Sequence, residues 1–174
     1  AHGGSAVGVH RVDSVDELGE AVLDAQSFDE AVVVEQWVEG VEMAVSVLGT
    51  GWDAYALPPV EIVAKSGRYD TEARMTPGAV EYFAPVRPAS LAQDEADAQA
   101  IRAEIERAAL EVYRAYQVRD LARIDLIWDG AQARAFEVNV SPGMAEHSLF
   151  PTACAAAGLS LPKVLDSLVS QYAR

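Results

Sequence analysis

The chain has 174 residues, of which 51% are hydrophobic and 23% charged, a composition typical of a globular protein with an ordinary core. With 13 Lys and Arg against 27 Asp and Glu, its net charge of −14 argues against a nucleic-acid or anionic-membrane surface, which needs clustered cations. The single cysteine, Cys154, excludes an internal disulfide framework and a cysteine-based zinc site. No stretch approaches the ~20 apolar residues of a membrane span, so we expect a cytoplasmic protein with no membrane or nucleic-acid partner.

The first half of the chain predicts mainly strands. Ser14 and Glu17 form a capping box that predicts a helix to about Gln26. The β-branched run 31–34 is typical of a strand buried on both faces. Residues 64–79 have no clear period, and a loop of that length tends to be a lid or a binding loop. The strands expected in this half are residues 6–12, 31–34, 41–48 and 54–63.

The second half predicts a long helix, a hairpin and two final helices. Residues 90–116 are expected to be helical because apolar side chains recur at spacings of four, three, four and three, which places them on one face. The remaining elements are strands 121–128 and 132–140, a loop at 141–147, and helices 148–157 and 160–172. Because several strands follow one another directly among the helices, we expect an α+β fold with a mixed or antiparallel sheet.

The hairpin carries the most informative polar residues. Arg123 and Asp125 lie two apart on one strand, and Glu137 and Asn139 lie two apart on the next, so each pair shares a face. Two carboxylates and a carboxamide are the hard oxygen ligands expected for Mg²⁺, and the arginine can hold a phosphate or a developing oxyanion. From these residues alone, a charged outer face of the sheet is an equal alternative.

The hairpin turn decides whether the two pairs share a face. A two-residue turn at Asp129-Gly130 would pair Trp128 with Ala131 and place Asp125 and Glu137 on opposite sides of the sheet. A metal site therefore requires an odd loop or a bulge at Gly130, and a register with Asp125 opposite Glu137.

Two segments of the first half could contact a nucleotide. Residues 3–8 contain glycines whose backbone N–H groups could approach phosphate oxygens, although a plain turn is the alternative. Residues 35–38 could read the edge of a base, and Glu42 could accept hydrogen bonds from ribose hydroxyls. The alternative for the second segment is that Trp37 simply packs at the edge of the core.

The loop after the hairpin could hold an anion. Gly143 can present a backbone N–H group, and Ser148 can cap the next helix, whose amino end favours a carboxylate. His147, in the same loop, is interpreted as a hydrogen-bonding bystander.

These segments, in this order, resemble the ATP-binding portion of the D-alanine–D-alanine ligase family within the ATP-grasp superfamily. The resemblance extends over essentially the whole chain and favours the metal site over a charged outer face. It implies an ATP-grasp fold with nucleotide between two lobes, residues 1–37 belonging to the small subdomain and 38–174 to the C-terminal one. The most specific segments are Gly4-Ser5-Ala6-Val7-Gly8-Val9, Arg123-Ile124-Asp125, and Glu137 to Met144 with His147-Ser148-Leu149.

The resemblance also implies how nucleotide and metal would be held. ATP would contact Glu42 at its ribose and Arg74 at its γ-phosphate. Two Mg²⁺ ions would share Glu137. The adenine hinge would be Glu35, Gln36, Trp37 and Val38, and the metal ligands would be Asp125, Glu137 and Asn139.

For the substrates, the resemblance implies ligation through an acyl phosphate, as in cell-wall synthesis. ATP would phosphorylate the carboxylate of a first D-amino acid, and the amine of the second would attack it. Arg123 and the Gly143 N–H would stabilise the tetrahedral intermediate, while Ser148 and the Leu149 N–H would hold the second substrate's carboxylate. Ser5 corresponds to a serine that the mobile loop closes upon.

The sequence departs from the family in two respects. The family's amino-terminal substrate lobe is missing, so we expect a fragment that does not ligate alone, and we expect the full-length protein to be a homodimer. Arg74, Met75 and Gln36 also replace a lysine, a tyrosine and a lysine of the family. Because methionine cannot make the tyrosine's hydrogen bond, the acceptor could be D-serine, a hydroxy acid or another amino acid. A related carboxylate–amine ligase and a non-catalytic nucleotide-binding module remain the alternatives.

Overall fold

The computed structural model describes residue 4 and residues 6–173. Its elements in chain order are α1 (Val15–Ala25), β1 (Val41–Leu48), a 3₁₀ turn (Gly51–Asp53), β2 (Tyr55–Ala56), β3 (Val60–Ala64), α2 (Thr71–Met75), β4 (Val80–Phe83), α3 (Pro88–Leu91), α4 (Glu95–Ala115), β5 (Leu121–Trp128), β6 (Ala133–Asn139), α5 (Leu149–Ala156) and α6 (Leu161–Tyr172).

Helix α1 begins at its predicted cap, whereas the long predicted helix forms as two helices. Ser14 is the N-cap of α1, although its hydroxyl makes no capping bond, and Glu17 accepts from the N–H of Asp13 at 3.1 Å. The helix predicted over 90–116 is divided into α3 and α4, because Asp94 caps α4 by accepting from the N–H groups of Ala96 and Asp97.

Two predicted strands are wrong. Residues 6–8 form a turn and 9–12 have no regular structure, and residues 31–39 are likewise irregular. Val33 is 79% exposed, so the run 31–34 is not buried on both faces. A β-branched run is stabilised as a strand by its cross-strand neighbours, and the described part of the chain provides none here.

Two further predictions, the strand 54–63 and the loop 64–79, are correct only in part. The strand predicted over 54–63 is interrupted between β2 and β3 by Pro58 and Pro59, which lack the N–H group that a ladder needs. The predicted loop 64–79 contains α2, whose N-cap Asp70 accepts from the N–H of Ala73 at 2.9 Å.

The sheet confirms the α+β prediction. Its strand order is β4-β3-β1-β5-β6, with β2 also paired to β1. The pairs β1–β2, β1–β3, β1–β5 and β5–β6 are all antiparallel.

The chain divides into two compact units. The first comprises Ala1–Val38 and Val63–Glu81, and the second comprises Glu39–Ile62 and Tyr82–Arg174. The assignment of residues 1–37 and 38–174 to ATP-grasp subdomains stays a prediction.

The core of the second unit leaves one sheet face for polar residues. Helix α4 packs on one face, where its Ile105, Ala109 and Tyr113 join the apolar residues of β1 and β5. The residues that point to the other face of β1 include Ala44 and Ser46, and α5 packs against this strand.

Helix α5 accounts for the lone cysteine. Cys154 is fully buried in α5, and burial raises the pKa of its thiol, as expected for an inert core residue. Among the described residues no single helix is long and apolar enough to cross a membrane, although α5 and α6, bent by 103° at the break between them, meet that length and composition together.

Candidate functional site

The pairing of β5 with β6 brings the two predicted pairs onto one face. Asp125 lies opposite Glu137, and Arg123 lies opposite Asn139. Trp128 pairs with Ala133, so the hairpin has an even-length loop of residues 129–132, which alone would put the pairs on opposite faces.

A bulge within β6 changes the parity. The register shifts between Asp125, which faces Glu137, and Leu126, which faces Ala135, leaving Phe136 as the extra residue. The register that the metal hypothesis requires is therefore present. The bulge lies at Phe136 rather than at Gly130, so that part of the prediction is wrong.

The hairpin loop of residues 129–132 is closed by hydrogen bonds to Asp129 and does not carry the expected bulge. Asp129 accepts from the N–H groups of Ala131 and Gln132 and from Nε of Arg134 at 2.6 Å. The hydrogen bond from Arg134, with the two backbone bonds, lowers the pKa of Asp129 to about 2. These bonds hold an even-length loop closed, and the irregularity falls further along β6.

Arg123 and Asp125 form a buried two-point ion pair. Nε of Arg123 donates to Oδ1 of Asp125 at 2.6 Å, and Nη2 donates to Oδ2 at 2.8 Å. The side chains are 10% and 5% exposed, so solvent screens the pair little. The geometry fixes the guanidinium on the site face, where it can meet an anion.

Glu137 and Asn139 complete the polar face. Oε1 of Glu137 lies 3.9 Å from Nη2 of Arg123, and its side chain is 46% exposed. Oδ1 of Asn139 accepts from the N–H of Ser141 at 2.9 Å, which fixes the orientation of the amide at the start of the following loop.

The residues on this face fit a magnesium ion. Within residues 4 and 6–173, no three His, Cys, Asp or Glu side chains converge on a metal-sized site. The face instead offers two opposed carboxylates, Asp125 and Glu137, and the carboxamide of Asn139, all of them hard oxygen donors. Mg²⁺ keeps several waters and phosphate oxygens among its ligands, so two or three protein donors with a half-exposed carboxylate suit it.

Glu42 lies on the same side of the sheet. It pairs with Ile127 in the register of β1 and β5, two residues before Ala44, which faces Asp125. The structure thus places this predicted ribose ligand on the face that carries the predicted metal ligands.

The loop after β6 brings together the predicted anion-binding groups. Ser148 is the N-cap of α5, with Leu149 as the first residue of the helix. The Ser148 hydroxyl makes no capping bond, so the expected side-chain cap is not formed. A β-carbon placed on Gly143 would lie 3.0 Å from Oγ of Ser148, which makes the two residues immediate neighbours.

The residues predicted to contact the adenine and the γ-phosphate lie in the first unit. Residues 35–38 have no regular structure, and Trp37 is 49% exposed with the guanidinium of Arg11 4.7 Å from its ring centre. Arg74 lies in α2 over the ring of Tyr69 at 4.2 Å, and Met75 beside it is 72% exposed. Ser5 lies outside the described residues, and the roles predicted for Glu35, Gln36, Trp37, Val38 and Arg74 stay predictions.

Sequence reasoning missed two buried polar side chains. Ser46 of β1 is 1% exposed, and Glu61 of β3 is 2% exposed. Glu61 accepts from Nε, Nη2 and the N–H of Arg87 and from the hydroxyl of Ser90. A charged residue within the apolar run 60–64 was the available signal for Glu61, whereas a serine in a strand gives no comparable signal.

This antiparallel sheet packed with helices has the ATP-grasp fold of the solved D-alanine ligase structures that it matches. Residues 1–170 match the family model described as D-ala D-ala ligase C-terminus. The chain therefore belongs to the D-alanine–D-alanine ligase family, in its carboxyl-terminal part.

Individual relatives agree with the family assignment. The chain is 40% identical over 174 residues to the D-alanine–D-alanine ligase of Bordetella petrii, covering 99% of this chain and 50% of that protein. The structure of the VanG D-Ala:D-Ser ligase from Enterococcus faecalis matches with a TM-score of 0.78 and 29% identity, covering 97% and 47% of the two chains. The D-alanine–D-alanine ligase of Bacillus anthracis matches with a TM-score of 0.74 and 26% identity over 97% and 51%. The chain thus spans about half the length of the proteins it resembles.

Proposed function

We propose that this chain is the ATP-binding, carboxyl-terminal part of an ATP- and Mg²⁺-dependent ligase that joins two D-amino acids through an acyl phosphate. The observation that carries the proposal is the opposition of Asp125 and Glu137, with Arg123 beside them on one sheet face. Membership of the family supports it, since the relatives bear the name of that reaction.

The chain's own residues would share the work as follows. Asp125, Glu137 and Asn139 would hold two Mg²⁺ ions, Glu137 being shared between them, and the ions would neutralise charge on the phosphates of ATP. Arg123, held by Asp125, would face the oxygen that becomes negative when the second amine attacks the acyl phosphate.

The loop after β6 would orient the second substrate. The Gly143 N–H would assist Arg123 at the tetrahedral intermediate. The Ser148 hydroxyl and the Leu149 N–H, at the amino end of α5, would hold the second amino acid's carboxylate. The proximity of Gly143 to Ser148 supports a single anion-binding site formed by both residues.

The remaining predicted residues would bind the nucleotide. Glu35, Gln36, Trp37 and Val38 would line the adenine, Glu42 would accept from the ribose, and Arg74 would meet the γ-phosphate. Ser5 would take part in closing the mobile loop over the first substrate.

A second candidate is a ligase of the same chemistry with an acceptor other than D-alanine. Met75 supports it because it stands, exposed, where the family carries a hydrogen-bonding tyrosine. The similarity to a structure named a D-Ala:D-Ser ligase also supports it. We further infer that the full-length protein acts in the cytoplasm, where ATP is available, as a homodimer.

The test is phosphate release by the full-length protein with ATP, Mg²⁺ and a panel of D-amino acids. Release with D-alanine alone supports a cell-wall ligase, and release only with a mixed pair supports the second candidate. ATP binding with no phosphate release from any pair would refute both and leave a non-catalytic nucleotide-binding module.

A further inference from the structure

Ser46 extends the polar face of the site by one strand. In the register of β1 and β5 it lies directly opposite Arg123, which in turn lies opposite Asn139 on β6. The three side chains therefore form one row across three adjacent strands, beside a second row of Ala44, Asp125 and Glu137. Directly opposed residues of antiparallel strands have β-carbons roughly 4.5–5.5 Å apart, so Ser46 is within reach of the arginine side chain.

The Ser46 hydroxyl is buried without a hydrogen-bond partner in the described part of the chain. The residue is 1% exposed, and its Oγ meets neither a protein donor nor a protein acceptor there. Such a hydroxyl lowers stability, since it has lost its hydrogen bonds to water and gained nothing in exchange. A polar group of this kind in a folded protein needs an explanation.

When a cation binds Asp125, the guanidinium of Arg123 needs another hydrogen-bond acceptor. Arg123 engages both carboxylate oxygens of Asp125, yet the proposed metal site needs oxygen from that carboxylate. A cation bound to Asp125 would draw at least one oxygen away from the guanidinium. Since Arg123 stays charged and is 10% exposed, the N–H group so released needs a replacement acceptor within the protein.

The side-chain oxygens of β6 that lie opposite Arg123 and Asp125 are already assigned to the metal. Glu137 and Asn139 are themselves proposed metal ligands, and Oδ1 of Asn139 already accepts from the N–H of Ser141. Ser46 is adjacent to Arg123, is uncharged and carries two acceptor lone pairs.

We propose that Ser46 is a positioning residue, whose hydroxyl accepts the N–H group that Arg123 withdraws from Asp125 when a divalent cation binds there. This inference rests on the proposed metal site. The N–H group of Arg123 would then have an acceptor in both states, the Asp125 carboxylate without the cation and the Ser46 hydroxyl with it, so the guanidinium stays on the site face.

The experiment is Mn²⁺ binding by the wild-type chain and by Ser46→Ala, followed through the loss of the free-ion electron paramagnetic resonance signal. Mn²⁺ takes the same oxygen ligands as Mg²⁺. We expect the Ser46→Ala variant to bind Mn²⁺ about tenfold more weakly, which corresponds to about 1.4 kcal/mol. In urea without metal, its unfolding midpoint should equal or exceed the wild-type midpoint, because the hydroxyl removed there has no partner.

Ser90→Ala is the matched control. It removes a hydroxyl that does have a partner, since Oγ of Ser90 donates to Glu61 at 2.7 Å. This variant should unfold at a lower urea concentration and bind Mn²⁺ as the wild type does.

The outcomes separate this inference from the proposed function. Unchanged Mn²⁺ affinity in Ser46→Ala, together with lost binding in Glu137→Gln, would overturn the role of Ser46 and leave the metal site standing. A metal-free Ser46→Ala chain destabilised like Ser90→Ala would assign the hydroxyl a structural role instead. If the wild type binds no Mn²⁺, the metal site and the inference fail together.

Discussion

Asp125 of β5 faces Glu137 of β6 because one extra residue, Phe136, bulges out of the pairing between them. The two carboxylates differ in their surroundings. Asp125 is 4% exposed and holds Arg123 at two points, whereas Glu137 is half-exposed and lies 3.9 Å from the same arginine. Glu137 is therefore the carboxylate that can bind a cation without first losing a short ion pair, and the first prediction concerns it.

Glu137→Gln should abolish Mg²⁺-dependent ATP binding while leaving the fold intact. The substitution removes a charge from a half-exposed side chain, and surface changes of this kind alter stability by about 0.5 kcal/mol or less. Loss of the proposed shared metal ligand should remove the Mg²⁺-dependent part of the ATP affinity, a loss of at least about tenfold. Isothermal titration with ATP at several Mg²⁺ concentrations measures this, with urea unfolding as the check on the fold.

Glu111→Gln on α4 is the control for that substitution. Glu111 is exposed and pairs with Arg107 on the helix that packs against the opposite sheet face. This variant should bind ATP and Mg²⁺ normally. Normal Mg²⁺-dependent binding by Glu137→Gln would remove Glu137 from the metal site.

Gly143→Ala should impair use of the second amino acid more than it lowers stability. The new β-carbon would lie 3.0 Å from Oγ of Ser148, so the hydroxyl proposed to hold the second carboxylate must move by a few tenths of an ångström. We expect kcat/KM for the second substrate to fall about tenfold in the full-length protein, since small misplacements of positioning groups are costly.

Gly130→Ala should lower stability without impairing use of the second amino acid. Gly130 has φ +93 and open space around its α-carbon, so alanine there strains the backbone by about 1–2 kcal/mol without touching the site. A lower urea midpoint with unchanged kcat/KM is expected. Equal losses of kcat/KM in Gly130→Ala and Gly143→Ala would contradict the positioning argument.

Glu61 should make the chain sensitive to acid. Burial alone would raise the pKa of Glu61, but hydrogen bonds from Arg87 and Ser90 outweigh it, so the pKa of the folded state lies below 4.5. The carboxylate therefore contributes stability that is fully present above the unfolded-state pKa and is lost as pH falls through the folded-state pKa. Between pH 7 and pH 3, Glu61→Gln should lose less of its free energy of unfolding than the wild type.

The destabilisation expected for Glu61→Gln depends on how deeply the Glu61–Arg87 ion pair is buried. Breaking a fully buried ion pair costs about 3–5 kcal/mol. Because the Arg87 side chain is 46% exposed, we expect Glu61→Gln to lower the free energy of unfolding at pH 7 by a smaller amount, about 2 kcal/mol. Urea unfolding at a series of pH values measures both quantities. Identical acid slopes for Glu61→Gln and wild type would show that Glu61 is not the group responsible.

Met75→Tyr should move the acceptor preference of the full-length protein toward D-alanine. Met75 ends α2 with 72% of its surface exposed, so a tyrosine fits there without disturbing the packing. The restored hydroxyl can hydrogen-bond when the loop closes, which methionine cannot do. Competition between D-alanine and D-serine in the phosphate-release assay measures the shift, and an unchanged product ratio would exclude this position as a specificity device.

Much of the second unit could be predicted from the sequence because its signals are local. The apolar patterns of residues 41–48 and 121–128 predict β1 and β5, and the period of three and four predicts α4. That Arg123 shares a face with Asp125 follows from strand geometry alone.

The first unit shows where local signals are insufficient. The run 31–34 has the composition of a buried strand, but Val33 and Val34 lie exposed and the run has no strand partner within the described part of the chain. A strand is stable only when another strand satisfies its backbone and covers its side chains, and no pattern within four residues specifies that partner.

The chemistry of the site was therefore determined by the sequence, and its assembly by the tertiary structure. The order and spacing of Arg123, Asp125, Glu137 and Asn139 predict the metal ligands, and together with the other motif segments they carry the resemblance to the family. Whether the two pairs meet depends on one bulged residue, Phe136, because a shift of one residue moves a side chain to the other face of the sheet. The placement of Ser46 opposite Arg123 likewise arises from the pairing of strands that are distant in sequence, which only the folded chain brings together.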